Sequence, residues 1–231
     1  MENKKYRTFE IVDGKIKFTD TSSKFMRFCI GTAYFPEVHK ETIEFLKRCI
    51  VIGYIFSGDF QKRLNVIIHS RIGATGKSIF VSGISKLYSL YAMKKGQTII
   101  TGREYIHPRE LNLLVRNIEK TCPSFIHIDD MRVDFNYKSV LEETNKSNSF
   151  IPVIITTTYR PEKIVGFTDS SNMRRFYTCE FGDYYNEYHY LTEFRGGLFD
   201  DEYHTTQDYI QDIKFCMDCL DYYKDFNNDI V

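Results

Sequence analysis

The sequence has no excess of charge of either sign, because 31 Lys and Arg residues are balanced by 31 Asp and Glu residues. No whole-molecule field therefore draws the chain to nucleic acid or to a membrane surface, and a polyanion would have to bind through a local patch. Neutrality by itself does not exclude a DNA partner.

Long hydrophobic runs are also lacking. The longest, such as the run from Cys49 to Phe56, are much shorter than the roughly 20 apolar residues that a membrane-spanning helix needs. The N-terminus, MENKKYRTFEIV, has no apolar core of the kind that signal peptides carry. We therefore expect an intracellular, cytoplasmic protein with no membrane partner.

Residue spacings typical of metal sites are scarce. The six histidines are dispersed, and the six cysteines are scattered through a chain long enough to fold without disulfides, which favours free thiols. Only Cys216 and Cys219 have metal-like spacing, and no second pair completes a set of four ligands. The apolar residues around them recur at helical spacing, which favours a packed helix: Ile210, Ile213, Met217 and Leu220. We predict no structural metal.

Apolar residues make up 42% of the chain, enough for a substantial core. Near the N-terminus, two β-prone runs flank Asp13 and Gly14, which both tolerate positive φ, so we predict a hairpin there. A helix should follow and end at Ser57-Gly58-Asp59. Its predicted apolar face consists of Ile43, Leu46, Ile50 and Tyr54.

From Leu64 onward, apolar runs alternate with helical patterns. The runs are LNVIIHS, QTIITG, SFIHIDD and IPVIITTT, and the helical patterns between them are KSIFVSGISKLYSLYAM, PRELNLLVRNIEK and NYKSVLEETNKS. This alternation predicts an α/β fold with a mostly parallel sheet covered on both faces. We divide the chain into an N-terminal hairpin and helical lead-in (1–60), a core (61–182) and an aromatic, acidic, helical tail (183–231). The sequence assigns no mechanism to the tail.

The stretch RIGATGKS joins the first of these strands to the first helix and predicts a phosphate-binding loop. Glycines let backbone N–H groups approach an anion at a helix N-terminus. The lysine would reach the β- and γ-phosphates of a nucleotide, and the serine hydroxyl would bind Mg²⁺. The predicted contacts are Gly73, Ala74, Thr75, Gly76, Lys77 and Ser78. A GKS triplet also occurs by chance, so the assignment depends on the rest of the chain.

Two acidic residues, Asp129 and Asp130, end a later apolar run. One carboxylate would hold the Mg²⁺ shell, and the other could orient or deprotonate an attacking water. The alternative is a buried strand followed by an acidic helix cap. The order strand, loop, helix and then acidic strand end favours the nucleotide site.

Two further elements follow. The run IPVIITTTYRP ends in hydroxyl-bearing residues, one of which could contact the γ-phosphate or the attacking water. Arg174 and Arg175 precede another β-prone run, and an arginine there could stabilise charge on the transferring phosphoryl group, often across a subunit boundary. An ordinary surface arginine pair is the alternative.

With these four elements, the chain resembles the superfamily 3 helicase domains of viral, phage and plasmid replication proteins. The resemblance is strongest to the C-terminal helicase of poxvirus-type and phage primase-helicases, and it covers roughly 39–181, including the leading stretch ETIEFLKRCIVIGYIFSGD. The family's motifs fall on Gly73 to Ser78, Asp129-Asp130, Thr157-Thr158 with Pro161, and Asp169 with Arg174-Arg175.

This resemblance implies an AAA+-like P-loop core of three layers that binds ATP and Mg²⁺. It implies a homo-oligomeric ring, usually hexameric, with ATP sites between subunits and single-stranded DNA in its centre. The chain has no room for the primase or origin-binding domain often fused to such helicases, which leaves three alternatives: a fragment, a pared-down helicase, or a protein that acts with a separate partner of that kind, inside the host cell for a viral or phage protein. The implied catalytic residues are Lys77, Asp129, Asp130, Thr158, Arg174 and Arg175.

The chain departs from the family pattern at three positions. Arg71 replaces the first glycine of the loop, where it would lie at the outer edge. Thr75 stands where the family has Asn, and Thr158 stands where the third motif has its sensor Asn. A threonine offers a hydroxyl but has a shorter reach and a different donor geometry. The sequence therefore supports nucleotide binding more firmly than rapid turnover.

A fourth departure concerns DNA. The family usually carries a β-hairpin with a channel lysine between its second and third motifs, but here the interval MRVDFNYKSVLEETNKSNSF reads partly as helix. The candidate nucleic-acid contacts in it are Arg132, Lys138 and Lys146. A solvated helix face is the alternative reading of these cations.

The leading hypothesis is an ATP-dependent DNA helicase or translocase of superfamily 3 type that acts in replication. The alternative is a nucleotide-binding loader or scaffold with weak or no hydrolysis that serves a replication partner. DNA-stimulated turnover separates the two. A kinase of small metabolites is a third possibility, but the chain shows no basic lid for an acceptor.

Overall fold

The computed structural model describes residues 3–35, 40–93, 97–102, 123–146, 150–164, 176–185 and 187–228, with single positions between 110 and 121. The helix predicted over PRELNLLVRNIEK lies mostly outside the described residues. Asp169, Arg174 and Arg175 lie outside them entirely.

The N-terminal segment forms a three-stranded antiparallel sheet: β1 (Lys4–Lys5), β2 (Phe9–Val12) and β3 (Lys15–Phe18). Val12 pairs with Lys15, and the two residues between them have positive φ, 50° at Asp13 and 76° at Gly14. The predicted hairpin is therefore confirmed, and β1 adds a third strand that the sequence did not indicate.

Two helices follow the hairpin, α1 (Lys24–Thr32) and α2 (Glu41–Ser57). The hydroxyl of Ser23 caps α1 by accepting a hydrogen bond from the backbone N–H of Met26, at 2.9 Å. Helix α2 ends as predicted, at Gly58, which adopts a left-handed conformation with φ of 61°.

The predicted apolar face of α2 is only partly correct. Leu46, Ile50 and Tyr54 are buried, but Ile43 is 56% exposed because it lies in the first turn, before the helix enters the core. From Phe45 to Phe56 the helix is buried on nearly all sides, so the one-sided pattern underestimates its burial.

A five-stranded parallel sheet forms the centre of the molecule, in the order β5-β6-β7-β4-β8. Its strands are β4 (Asn65–Ser70), β5 (Gln97–Thr101), β6 (Phe125–Asp129), β7 (Val153–Thr157) and β8 (Phe176–Phe181). Helix α3 (Lys77–Ala92) follows β4, and α4 (Tyr137–Lys146) follows β6. The predicted α/β class with a parallel sheet is confirmed.

Both faces of the sheet are covered. Successive residues of a strand point to opposite faces, and the buried residues divide accordingly. Val66 and Ile68 belong to the hydrophobic cluster that contains residues of α1, α2 and α3. Ile67 belongs to a second cluster, which contains Tyr137 and Val140 of α4. The sheet is thus the middle layer between helices.

The C-terminal tail contains α5 (Glu187–Glu193) and α6 (Thr206–Asn228), and α6 packs along α2. The helix predicted around Cys216 is confirmed, but its buried face differs from the prediction. Ile210 is 44% exposed, whereas Phe215, Cys216 and Cys219 are fully buried. Of the other residues of the predicted face, Leu220 is buried, and Ile213 and Met217 are partly buried against the core. The prediction is therefore partly correct, and it missed the cysteines and the aromatic ring.

The three segments into which we divided the chain share one hydrophobic cluster, which contains Phe9, Phe80 and Phe215. The hairpin also bonds directly to α6, because Thr8 donates to Asp218 Oδ2 through its backbone N–H at 2.9 Å and its hydroxyl at 2.8 Å. The N-terminal and C-terminal segments therefore help to build the same core.

The five described cysteines are free and buried. Within the described residues, no cluster of three or more His, Cys, Asp or Glu side chains is arranged to hold a metal ion. None of the helices in the described part of the chain is both long and apolar enough to cross a membrane.

Gly53 allows the close approach of α2 to α6. A Cβ atom at this position would lie 2.3 Å from the carbonyl oxygen of Cys219 and 2.6 Å from Cβ of Tyr223. We expect Gly53→Val to lower the free energy of unfolding by about 1–3 kcal/mol, because the two helices must separate. Urea denaturation would measure the loss.

The matched control is Gly73→Val, because a Cβ at Gly73 meets no atom within 4 Å. Its unfolding midpoint should stay close to that of the unchanged protein. Equal midpoints for the two variants would contradict the helix contact as the cause.

Candidate functional site

The loop between β4 and α3 curls at the start of the helix. Ala74 and Gly76 have positive φ, 55° and 88°, and Gly76 caps α3. A Cβ at Gly76 would also lie 2.6 Å from Cζ of Phe28, so both the backbone conformation and the packing require glycine. The first N–H groups of a helix have no partner within it, and they form an anion-binding site.

The loop forms one wall of a cleft of about 460 Å³. All six residues predicted to contact phosphate line it: Gly73, Ala74, Thr75, Gly76, Lys77 and Ser78. The volume lies within the range of small-molecule sites.

Lys77 is held inside this wall. Its side chain is largely buried, and Nζ donates to the hydroxyl of Ser70 at 2.6 Å and to that of Thr75 at 3.3 Å. Burial lowers the pKa of Lys77 to about 8, against the opposing charges of Asp130 and Asp129. A phosphate in the cleft would favour the protonated amine and raise this pKa.

Ser78 and Asp129 connect the loop to β6. The hydroxyl of Ser78 donates to Asp129 Oδ1 at 2.6 Å. Burial raises the pKa of Asp129, but the hydrogen bonds from Ser78 and Thr156 outweigh it, and the pKa lies below its ordinary value. The structure therefore places a hydroxyl beside an ionised carboxylate at the edge of the cleft.

These two oxygen ligands fit Mg²⁺. In nucleotide sites this ion takes one or two protein ligands and completes its shell with phosphate oxygens and water. Ser78 and Asp129 would hold it, and a cluster of three protein ligands is not required.

Asp130 and Thr158 also line the cleft, as predicted. Asp130 has φ of 50°, which is uncommon for a residue other than glycine. The hydroxyl of Thr157, in contrast, is buried and donates to the carbonyl oxygen of Met131 at 2.7 Å. Of the two threonines in the third motif, Thr158 is the one that borders the cleft.

Sequence reasoning missed Thr156, which lines the same cleft. Its hydroxyl oxygen lies 2.8 Å from Asp129 Oδ1 and 3.1 Å from Nε2 of the buried His127. A signal was present, because Thr156 is one of the hydroxyl-bearing residues that end the run IPVIITTTYRP.

Sequence reasoning also missed Tyr185 and Tyr190, which line the cleft as well. Tyr185 stacks on Phe28, with 5.4 Å between ring centroids, and donates to Glu193 Oε2 at 2.8 Å. The backbone N–H of Leu198 donates to the Tyr190 hydroxyl at 2.7 Å. The tail, to which the sequence assigned no mechanism, thus forms one side of the cleft.

Arg71 lies at the outer edge of the loop, as expected. Its side chain is 59% exposed, and Nε lies 3.8 Å from Glu180 Oε1. Lys40 pairs with the same carboxylate. The residue that replaces the loop's first glycine thus faces the end of β8.

The predicted DNA-contacting cations lie after β6. Arg132 is exposed, and its Nε lies 3.6 Å from Asp134 Oδ1. Lys138 is exposed on α4, and Lys146 is the last residue of that helix. This interval is partly helical, as predicted, and the nucleic-acid role of the three residues stays a prediction.

The amine of Lys77, the hydroxyl of Ser78 and the carboxylates of Asp129 and Asp130 thus surround one cleft. Arg174 and Arg175, which are predicted to complete it, lie outside the described residues. A scan against protein-family models and a search of curated proteins both find no match for this chain.

Proposed function

We propose that this chain is an ATP hydrolase of superfamily 3 helicase type that moves single-stranded DNA during replication. The observation that carries the proposal is the 2.6 Å contact between Ser78 Oγ and Asp129 Oδ1, one residue from the buried Lys77. It brings the start of α3 and the end of β6 together, as a phosphate and metal site requires.

Each group has a role in this reaction. The first N–H groups of α3 and the amine of Lys77 bind the phosphates. Ser78 and Asp129 would hold Mg²⁺, which would neutralise negative charge on the phosphates of bound ATP. Asp130 orients the attacking water and accepts its proton.

The strand order supports an AAA+-like P-loop core. The chain leaves β4 for the far edge of the sheet, returns through β6 and β7, and then places β8 on the other side of β4. In open parallel sheets, ligands bind beyond the carboxyl ends of strands where the chain changes direction. The loop that follows β4 lies at this point.

The partners are proposed from the resemblance to superfamily 3 helicases. We propose a hexameric ring in which Arg174 or Arg175 reaches the ATP site of a neighbouring subunit. Arg132, Lys138 and Lys146 would contact single-stranded DNA. A primase or an origin-binding protein would recruit the ring.

A loader or scaffold that binds ATP but hydrolyses it poorly is the second candidate. The observation that favours it is Thr158 at the cleft, where a hydroxyl replaces the longer amide side chain of the family's sensor. This candidate predicts ATP binding without DNA-stimulated turnover.

The test is ATP hydrolysis by the purified protein with and without single-stranded DNA. We expect turnover that DNA stimulates and that Asp130→Asn lowers by about 100-fold or more, because the amide cannot accept the proton. Arg174→Ala should also abolish turnover. Mixing these two inactive variants should restore part of it if each site combines residues of two subunits.

The control is Asp134→Asn, which changes an exposed acid four residues from Asp130. Its turnover should match that of the unchanged protein. ATP binding without turnover in the unchanged protein would support the loader or scaffold, and absence of ATP binding would refute both candidates.

A further inference from the structure

We infer that Thr156, oriented by the Nε2–H tautomer of His127, is the positioning residue that fixes the carboxylate of Asp129 and the backbone of Asp130. This inference rests on the proposed function, because it assigns Thr156 a role in holding the Mg²⁺ ligand. Both residues lie in runs that the sequence analysis singled out, but neither was assigned a role there.

The hydroxyl of Thr156 has one proton and two lone pairs. The hydroxyl donates its proton to Oδ1 of Asp129, 2.8 Å away. The backbone N–H of Asp130 donates to the same hydroxyl at 3.1 Å. One lone pair then remains, and Nε2 of His127 lies 3.1 Å from the oxygen.

The remaining lone pair requires a donor, so Nε2 of His127 must carry a proton. His127 is 1% exposed, and Asp129 Oδ1 at 3.6 Å is too far to accept a hydrogen bond from a doubly protonated ring, so this buried ring carries one proton. With the proton on Nε2, the buried Nδ1, which has no hydrogen-bond partner among the described residues, is a bare acceptor. The other tautomer would bury an unsatisfied N–H and leave two acceptors facing each other.

His127 acts through Thr156 rather than directly. Its Nε2 lies 3.6 Å from Asp129 Oδ1, which is too long for a hydrogen bond. The ring therefore orients the carboxylate of Asp129 only through its hydrogen bond to the hydroxyl of Thr156.

One hydroxyl, that of Thr156, thus positions two acidic residues. Thr156 holds Asp129 Oδ1 where Ser78 contacts it at 2.6 Å. It also anchors the backbone of Asp130 in its left-handed conformation, with φ of 50°. The Mg²⁺ ligand and the water-orienting acid are thereby fixed relative to each other.

The first test compares Thr156→Val with Thr156→Ser. Binding of a fluorescent ATP analogue would be measured in Mg²⁺ and in EDTA. We expect Thr156→Val to reduce the gain in affinity that Mg²⁺ provides by about 10–100-fold, as is typical for partners of metal ligands. Affinity in EDTA should not change, and Thr156→Ser should restore the gain.

Thr144→Val is the matched control, because this buried threonine donates to Leu141 within α4, away from the cleft. It should leave the Mg²⁺ gain intact. The inference would be overturned if Thr156→Val kept the full Mg²⁺-dependent gain in affinity, or if Thr144→Val lost as much of that gain as Thr156→Val does.

The second test does not depend on ATP. Long-range ¹⁵N–¹H spectra of the nucleotide-free protein should show His127 protonated at Nε2, and protonation at Nδ1 would overturn the inference. If the unchanged protein binds no ATP, the proposed function fails, whereas this spectrum still tests the hydrogen-bonded junction.

A double-mutant cycle tests the relay itself. If His127 acts only through Thr156, the Mg²⁺ gain of the double variant Thr156→Val/His127→Phe should equal that of Thr156→Val alone. Losses that simply add would mean that His127 acts independently and would overturn the relay.

Discussion

Replacing Lys77 with alanine is expected to abolish ATP hydrolysis and to weaken nucleotide binding, while the protein stays folded. In the proposed site the amine is the buried cation of the loop after β4, and its loss would remove the charge that we propose binds the β- and γ-phosphates. Turnover should fall by at least about 100-fold, because stabilisation of developing charge is among the largest catalytic contributions.

The fold should tolerate this change. Burial lowers the pKa of Lys77 to about 8, which means that the protonated amine destabilises the folded protein. Alanine removes this destabilisation. Circular dichroism and urea denaturation would check this. Lys86→Ala, on the same helix but at a partly exposed side chain that pairs with Asp201, is the control and should keep full turnover. Unchanged turnover in Lys77→Ala would refute the site.

The lowered pKa gives the Lys77 prediction a pH dependence. As pH rises from 7 to 10, free protein loses the proton of Lys77, so nucleotide affinity measured without Mg²⁺ should fall. Lys77→Arg keeps its charge and should remove this dependence.

The amine of Lys77 affects stability in the opposite direction. Its pKa is lower folded than unfolded, so between the two values the unfolded chain binds more protons and the free energy of unfolding rises with pH.

Arg48→Met is expected to cause the largest loss of stability, about 3–5 kcal/mol. The side chain of Arg48 is fully buried, with its guanidinium 4.2 Å from the ring centre of Phe181. It donates to the hydroxyl of Thr32 at 2.9 Å, to the Thr32 carbonyl at 2.6 Å and to the Glu180 carbonyl at 2.9 Å. Methionine fills similar space but removes all three of these hydrogen bonds, and the Thr32 carbonyl then keeps only the bond from the backbone N–H of Gly182.

Urea denaturation would measure this loss, with Lys47→Met as the matched control. Lys47 precedes Arg48 on α2 and pairs with the same Glu44, but its side chain is 32% exposed. Partly exposed pairs contribute about 0–1 kcal/mol, so the control should unfold near the normal urea concentration. Similar losses in both variants would mean that the buried network of Arg48 is not the cause.

Features that depend on neighbouring residues could be predicted from the sequence. The turn at Asp13-Gly14, the end of α2 at Gly58 and the strand-loop-helix around Lys77 each follow from a local signal. The meeting of Ser78 with Asp129 follows from a general property of parallel sheets, whose strand ends lie at one edge.

Features that depend on which elements lie side by side in space could not be predicted from the sequence. The junction at Thr156 exists because β7 lies beside β6, an adjacency that the motifs do not specify. The burial of Arg48 opposes the usual exposure of charge, and it depends on acceptors contributed by α1 and β8. Ile43 and Ile210 fit helical periodicity yet are exposed, because the extent of the neighbouring elements decides which turns are covered.

The hydrogen bonds between the hairpin and α6 have a consequence for biosynthesis. They join Thr8 to Asp218, 210 positions later, and contacts between such distant positions form slowly. A nascent chain that has emerged only as far as β8 contains the hairpin and α2, but not the helix that packs on both. The side of α2 that faces α6 is uncovered at that stage, the condition under which partly synthesised chains aggregate or need chaperones. Completion of the core therefore has to wait until α6 has emerged.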